Sequence, residues 1–100
     1  MNSNPKVVCL GGGHGLAATL AAMRTLTDQV TAVVTVADNG GSSGRLRAEF
    51  NSLPPGDLRT ALAALCADDE WGKSWAQIMQ YRFTSQGEMD NHAVGNLLLT

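Results

Sequence analysis

The first half of the chain contains two short apolar runs, and residues with helical periodicity lie between them. A β-branched apolar run over residues 6–10 ends in glycine, and a second run covers residues 30–37, as is typical of buried parallel strands. Between them an apolar stripe runs from Leu16 to Leu26 at spacings of four, three and three, which predicts a helix packed on a sheet. Strand, helix and strand in this order predict a βαβ unit with a right-handed crossover.

The second half of the chain has a more helical pattern. We predict helices over residues 45–50, from Asp57 to Leu65 with Asp57 as the N-cap, over residues 73–82, and from Val94 onward. The large apolar side chains near the third of these helices are predicted to lie in the core, and they are Trp71, Trp75, Ile78 and Met79.

Composition narrows the class of protein. With 44% hydrophobic and 16% charged residues and a net charge of -2, the chain has the profile of a globular protein that does not bind nucleic acid. No apolar run is long enough for a signal peptide or a membrane span, so we expect a cytoplasmic protein. Cys9 and Cys66 lack a CxxC partner and are expected to be reduced core thiols.

Two strands cannot form a doubly wound sheet. Their edges and faces need more chain to cover them. We therefore interpret residues 1–100 as the N-terminal part of a single larger α/β domain, and we expect the protein to form a homo-oligomer.

A glycine cluster joins the first strand to the first helix. The segment from Gly13 to Ala18 fits the pattern GxGxxA, and Asp38 follows it by twenty residues, at the end of the second strand. Glycine lets backbone N–H groups approach phosphate oxygens at a helix N-terminus, although a tight turn also uses glycine. The predicted phosphate-binding residues are Gly11, Gly12, Gly13 and Gly15.

A second polar loop follows Asp38. Its backbone and hydroxyl donors, with an arginine, are suited to another phosphate or a carboxylate, whereas a solvated surface turn is the alternative interpretation. The residues predicted to bind ligand here are Asp38, Asn39, Gly40, Gly41, Ser42, Ser43 and Arg45. Residues 40–44 also fit the nucleophile pattern GxSxG, but no acid–histidine pair can be assigned to Ser42, so a hydrolase is not favoured.

Two carboxylates stand at the ends of predicted elements. Asp38 and Asp57 can share a divalent cation such as Mg²⁺ between phosphates, although an N-cap role also explains Asp57. Farther along the chain, His92 and Asn96 lie four residues apart and can hydrogen-bond a base or sugar if a helix begins before His92.

Five segments together resemble a known family. They are "GGGHGL", "VTVADNGGSSGRLR", "PPGDLR", "QYRF" and "HAVGNLLL". In this order they resemble the gluconeogenesis factor family (YvcK-like), which is related to the 2-phospho-L-lactate transferase (CofD-like) family of deazaflavin cofactor biosynthesis. The resemblance extends over nearly all of residues 6–99.

The resemblance implies a Rossmann-like domain that binds a nucleotide-containing small molecule, either a UDP-sugar or a dinucleotide. It further implies a regulator of carbon metabolism, cell-envelope synthesis and cell shape. The alternative is a metal-dependent transferase with a nucleotide-activated donor. The residues resembling a third pocket wall are His92, Gly95 and Asn96. Asn39 replaces an acid common in the family, so the resemblance leaves enzymatic activity open.

Overall fold

The computed structural model describes residues 4–38 and 40–100 of the chain. Two parallel strands are followed by a series of helices. In chain order the elements are β1 (Val7–Gly11), α1 (Gly13–Arg24), β2 (Val30–Val34), α2 (Gly41–Phe50), α3 (Gly56–Leu65), α4 (Glu70–Gln80) and α5 (Val94–Leu99).

The βαβ unit is formed as predicted. β1 and β2 pair in parallel from Val7 opposite Val30 to Gly11 opposite Val34. The pairing continues for one more hydrogen bond, in which Thr35 N–H donates to the Gly11 carbonyl at 2.8 Å. The predicted α/β class, a Rossmann-like parallel sheet flanked by helices, is therefore confirmed.

The core lies between this sheet and helices α1 and α3. Its buried members are Cys9, Leu16, Leu20 and Ala61. Cys9 is thus a core thiol, whereas Cys66 is only partly buried and donates to the Leu62 carbonyl at the end of α3. No helix in the described ranges combines the length and the hydrophobicity that crossing a bilayer requires.

The second face of the sheet is exposed, which corrects the prediction of strands buried on both faces. Val8, Leu10 and Val33 are 62%, 75% and 52% exposed, whereas Cys9 points into the core. Successive side chains of a strand point to opposite faces, and among the described residues only one face is covered by helices.

We expect the 100-residue chain on its own to self-associate, because exposed apolar faces and unpaired strand edges favour aggregation. Leu10→Lys should reduce the associated fraction in light scattering. Leu53→Lys, at a comparably exposed leucine outside the sheet, should leave that fraction unchanged. A monomeric wild-type chain with a cooperative thermal transition would contradict this expectation.

Two helix starts differ from the prediction. α2 begins at Gly41 rather than residue 45, so the serines of the predicted loop form its first turn. α3 begins at Gly56 with Pro55 in the N-cap position, so Asp57 lies inside the first turn and is not the N-cap. Its negative charge still suits the positive end of the helix dipole.

α4 shows the largest correction. It begins at Glu70, where the Asp69 side chain accepts a hydrogen bond from Gly72 N–H. Trp71 is 73% exposed and Trp75 41%, so these aromatic side chains lie outside the core. Within the first turn, Gly72 lies against the loop that precedes the helix, because a Cβ atom there would overlap the Ala67 backbone.

Candidate ligand cleft

An open cleft lies beyond the carboxyl ends of β1 and β2. It has a volume of about 880 Å³, which is within the usual range for small-molecule sites. Parallel α/β sheets bind their ligands at this edge. The residues that line the cleft are Gly12, Gly13, His14, Thr35, Asp38, Gly56, Asp57, Arg59, Thr60, Gln80 and Arg82.

Gly12 brings the start of α1 against the Asp57 carboxylate. A Cβ atom at Gly12 would overlap both that carboxylate and the methyl group of Thr35. The backbone φ of Gly12 is -165°, which any residue can adopt, so lack of space is what requires glycine here. Gly13, in contrast, has φ +63°, a conformation that favours glycine on its own.

Gly56 has the same role for the second carboxylate. A Cβ atom there would lie 2.8 Å from Asp38 Oδ2 and would also overlap the Ser43 hydroxyl. Asp38 Oδ1 accepts a hydrogen bond from Gly40 N–H at 2.9 Å, which fixes the carboxylate in the loop between β2 and α2. The Asp38 carboxylate therefore lies against the residue that precedes Asp57.

Both carboxylates are available to a ligand. The structure gives Asp57 no hydrogen bond and no ion pair with the described residues, and the ion pair found among them joins Lys73 to Asp68. Two half-buried carboxylates at one cleft fit Mg²⁺, which binds one or two carboxylates and takes its other oxygens from water and phosphates. No cluster of three metal-ligating side chains occurs in the described ranges, so phosphate and water would supply the remaining ligands.

Ser42 and His92 are buried together and do not line the cleft. The Ser42 hydroxyl lies 2.7 Å from His92 Nδ1 and 3.4 Å from Ala93 N–H, which donates to it. Ser42 is 2% exposed, so it is not a nucleophile presented to substrate. The hydrogen bond between these two side chains connects α2 to the segment that precedes α5.

His92 does not share a helical face with Asn96, because α5 begins only at Val94. Asn96 is 1% exposed, and its Oδ1 accepts a hydrogen bond from Arg59 Nε at 2.8 Å. Gly95 lies against the Arg59 side chain, since a Cβ atom would come within 2.8 Å of Arg59 Cγ. Gly95 and Asn96 thus contact the cleft through Arg59.

None of the other predicted residues that the structure describes lines the cleft. Arg45 turns away from it and donates to the carbonyls of Glu88 and Asp90. Gly15 lies inside α1 with open space around it. Asn39 lies outside the described residues. Gly11 is the last residue of β1 and has φ +141°, while Gly40 is the N-cap of α2 and Gly41, with φ +46°, is its first residue.

Sequence reasoning missed Arg59 and Arg82, which line the cleft. Arg59 is 8% exposed, and burial, followed by the positive charge of Arg82, lowers the pKa of its guanidinium, while Asp38 acts in the opposite direction. The available signal was an arginine inside the otherwise apolar stripe that begins at Leu58. Arg82 lies in the segment "QYRF", and no binding or catalytic motif marks this segment in the sequence.

The buried histidine predicts a pH dependence of stability. Burial, and then the positive charge of Arg45, lowers the pKa of His92 despite the opposing charge of Glu49. The unfolded chain therefore binds a proton at a higher pH than the folded one. The stabilisation linked to neutral His92 should be fully present above the unfolded pKa of about 6.5. The free energy of unfolding should then decrease as the pH falls toward the lower pKa of the folded state.

Urea unfolding between pH 5 and pH 8 measures this dependence. His92→Gln should flatten it, whereas His14→Gln, at an exposed histidine of the cleft, should leave it in place. An identical pH dependence in the wild type and in both variants would contradict the assignment to His92.

The fold defines an α/β protein of the Rossmann-like class, with an open cleft at the carboxyl ends of its strands. The family model described as "2-phospho-L-lactate transferase CofD" matches residues 7–100. The chain therefore belongs to the CofD family.

Curated relatives and solved structures agree with this assignment. A protein of Mycobacterium leprae (strain TN) is 60% identical over 97% of this chain and 27% of its own length. The protein named "Gluconeogenesis factor" of Listeria innocua is 44% identical over 98% of this chain and 30% of its own. The crystal structure of protein BH3568 from Bacillus halodurans has a TM-score of 0.84 and 44% identity over 97% of this chain and 30% of that one. This chain thus spans less than a third of the length of these relatives.

Proposed function

We propose that the cleft binds the diphosphate of a nucleotide-sugar together with a divalent cation held by Asp38 and Asp57. The observation that carries the proposal is the placement of both carboxylates against glycines at the carboxyl ends of the strands. A cation there neutralises the two carboxylates and the phosphate oxygens that approach them. The N-terminus of α1 beside Gly13 adds partial positive charge and backbone donors.

On this proposal the protein is a cytoplasmic sensor that adjusts carbon metabolism, cell-envelope synthesis and cell shape to the supply of UDP-sugar. The name of the Listeria innocua relative supports a regulatory role. The alternative is a transferase that uses a nucleotide-activated donor, and the description of the family supports that alternative. Both functions require the same cation and phosphate contacts.

The test of ligand class is a thermal-shift comparison of the purified full-length protein with UDP-sugars, GDP and nicotinamide dinucleotides, each with Mg²⁺ and with chelator. UDP-sugar with Mg²⁺ should give the largest increase in Tm, because binding to the folded state alone stabilises it. An equal Tm with every nucleotide and with none would refute the proposal.

Recovery of the bound nucleotide separates the two functions. A regulator returns the UDP-sugar intact after long incubation with Mg²⁺. A transferase releases a nucleotide product once an acceptor is present. Chromatography of the incubated ligand, with and without a mixture of small-molecule acceptors, distinguishes these results.

A further inference from the structure

Two guanidinium groups line the cleft without an acidic partner. Arg59 and Arg82 both border it, together with Asp38 and Asp57. No ion pair shorter than 4.0 Å joins either arginine to a carboxylate among residues 4–38 and 40–100. Both cations therefore retain hydrogen-bond donors for a ligand, and a buried cation is stable only when such donors are satisfied.

Neutral groups hold both arginines in place. Arg59 donates through Nε to the buried Asn96, and its methylene groups pack against Gly95. Arg82 donates through one terminal nitrogen to the Asn91 carbonyl at 2.8 Å, and its backbone pairs with Ala93 in an isolated antiparallel bridge. These contacts use the Nε atom of Arg59 and one terminal nitrogen of Arg82, so terminal donors of both guanidiniums remain.

The electrostatics of this arrangement favour an anion. Two positive charges that border one cavity repel each other, and one of them is largely removed from water. Asp38 opposes this repulsion, but it forms no ion pair with either arginine. The arrangement is stabilised when a multiply charged oxyanion enters. A phosphate group fits because its oxygens can accept hydrogen bonds from two guanidinium groups at once, whereas one carboxylate has only two oxygens to share.

We propose that Arg59 and Arg82 form a phosphate subsite, distinct from the cation position at Asp38 and Asp57. This inference deepens the proposed function and rests on it, since it adds that the ligand carries phosphate oxygens beyond those bound to the metal. Arg82 contacts the ligand directly. Asn96 and Gly95 are positioning residues that act through Arg59.

The test separates the arginines from the metal. Pyrophosphate is titrated into the purified full-length protein by calorimetry in the presence of chelator, so that no cation links the ligand to the carboxylates. Arg82→Gln should weaken binding by about tenfold or more, as expected for losing charged hydrogen bonds. Lys73→Gln removes an exposed positive charge whose partner is Asp68 and should change the affinity by less than about twofold.

Asp38→Asn has opposite expected effects in the two experiments. Without metal it removes a negative charge from the cleft, so pyrophosphate should bind at least as tightly as to the wild type. With Mg²⁺ and UDP-sugar the same variant should bind more weakly. Failure of the second result alone refutes the proposed function and leaves the arginine subsite standing.

Two results would overturn the subsite. One is the absence of pyrophosphate binding by the metal-free wild type. The other is equal affinity of the wild type and Arg82→Gln. A parallel titration with UDP identifies the source of the phosphate. If the subsite binds the diphosphate of a nucleotide, Arg82→Gln weakens both pyrophosphate and UDP binding. If it binds free phosphate, the variant weakens pyrophosphate binding only.

Discussion

Gly12→Ala is expected to destabilise the protein by about 1–3 kcal/mol, the usual range for overpacking, and to abolish metal-dependent nucleotide binding. The added methyl group overlaps the Asp57 carboxylate and the methyl group of Thr35. The Thr35 backbone is held by its hydrogen bond to the Gly11 carbonyl, and rotation of the Asp57 carboxylate to relieve the overlap would move it from its position in the cleft. Urea unfolding and calorimetric titration measure the two effects.

Gly15→Ala is the matched control, one helical turn away. Nothing lies within 4 Å of a Cβ atom at this position, and the residue is inside α1. Alanine there should stabilise the protein by about 0.4–1 kcal/mol, because it reduces the entropy of the unfolded chain. Changes of the same sign in the free energy of unfolding of the two variants would contradict the steric explanation.

Asn96→Leu is expected to lower the free energy of unfolding by about 1.5–3 kcal/mol, because it leaves the Nε donor of a buried guanidinium without its acceptor. Asn96→Asp keeps an acceptor oxygen of the same shape and should be less destabilising. Denaturant unfolding of the two variants is the measurement. If Asn96 instead bound a base or sugar and did not hold Arg59, both variants would unfold like the wild type.

Local patterns predicted the elements that short-range physics determines. The βαβ unit follows from two apolar runs and one helical stripe, and the glycine cluster marks the strand-to-helix turn. Asp38 and Asp57 could be selected because they follow or begin such elements. What brings them to one cleft is the packing of α3 on the sheet, which sequence spacing does not encode.

Tertiary contacts explain why some of the sequence predictions were wrong. The stripe of Trp71 and Trp75 has the period of a buried face, but both side chains are exposed, and Gly72 on the same helix lies against the backbone of Ala67 in the preceding loop. His92 and Ser42 are fifty residues apart in sequence, so no motif predicts their hydrogen bond. Arg59 was missed because an arginine in a helix usually faces solvent.

The central claim is that Asp38 and Asp57 hold a cation beneath the ligand diphosphate. The most direct test is calorimetry of UDP-sugar binding to the wild type and to Asp38→Asn, each with Mg²⁺ and with chelator. We expect the wild type to bind more tightly with Mg²⁺, and Asp38→Asn to lose this metal dependence and to bind more weakly by about 1–3 kcal/mol. Equal affinities under all four conditions would contradict it.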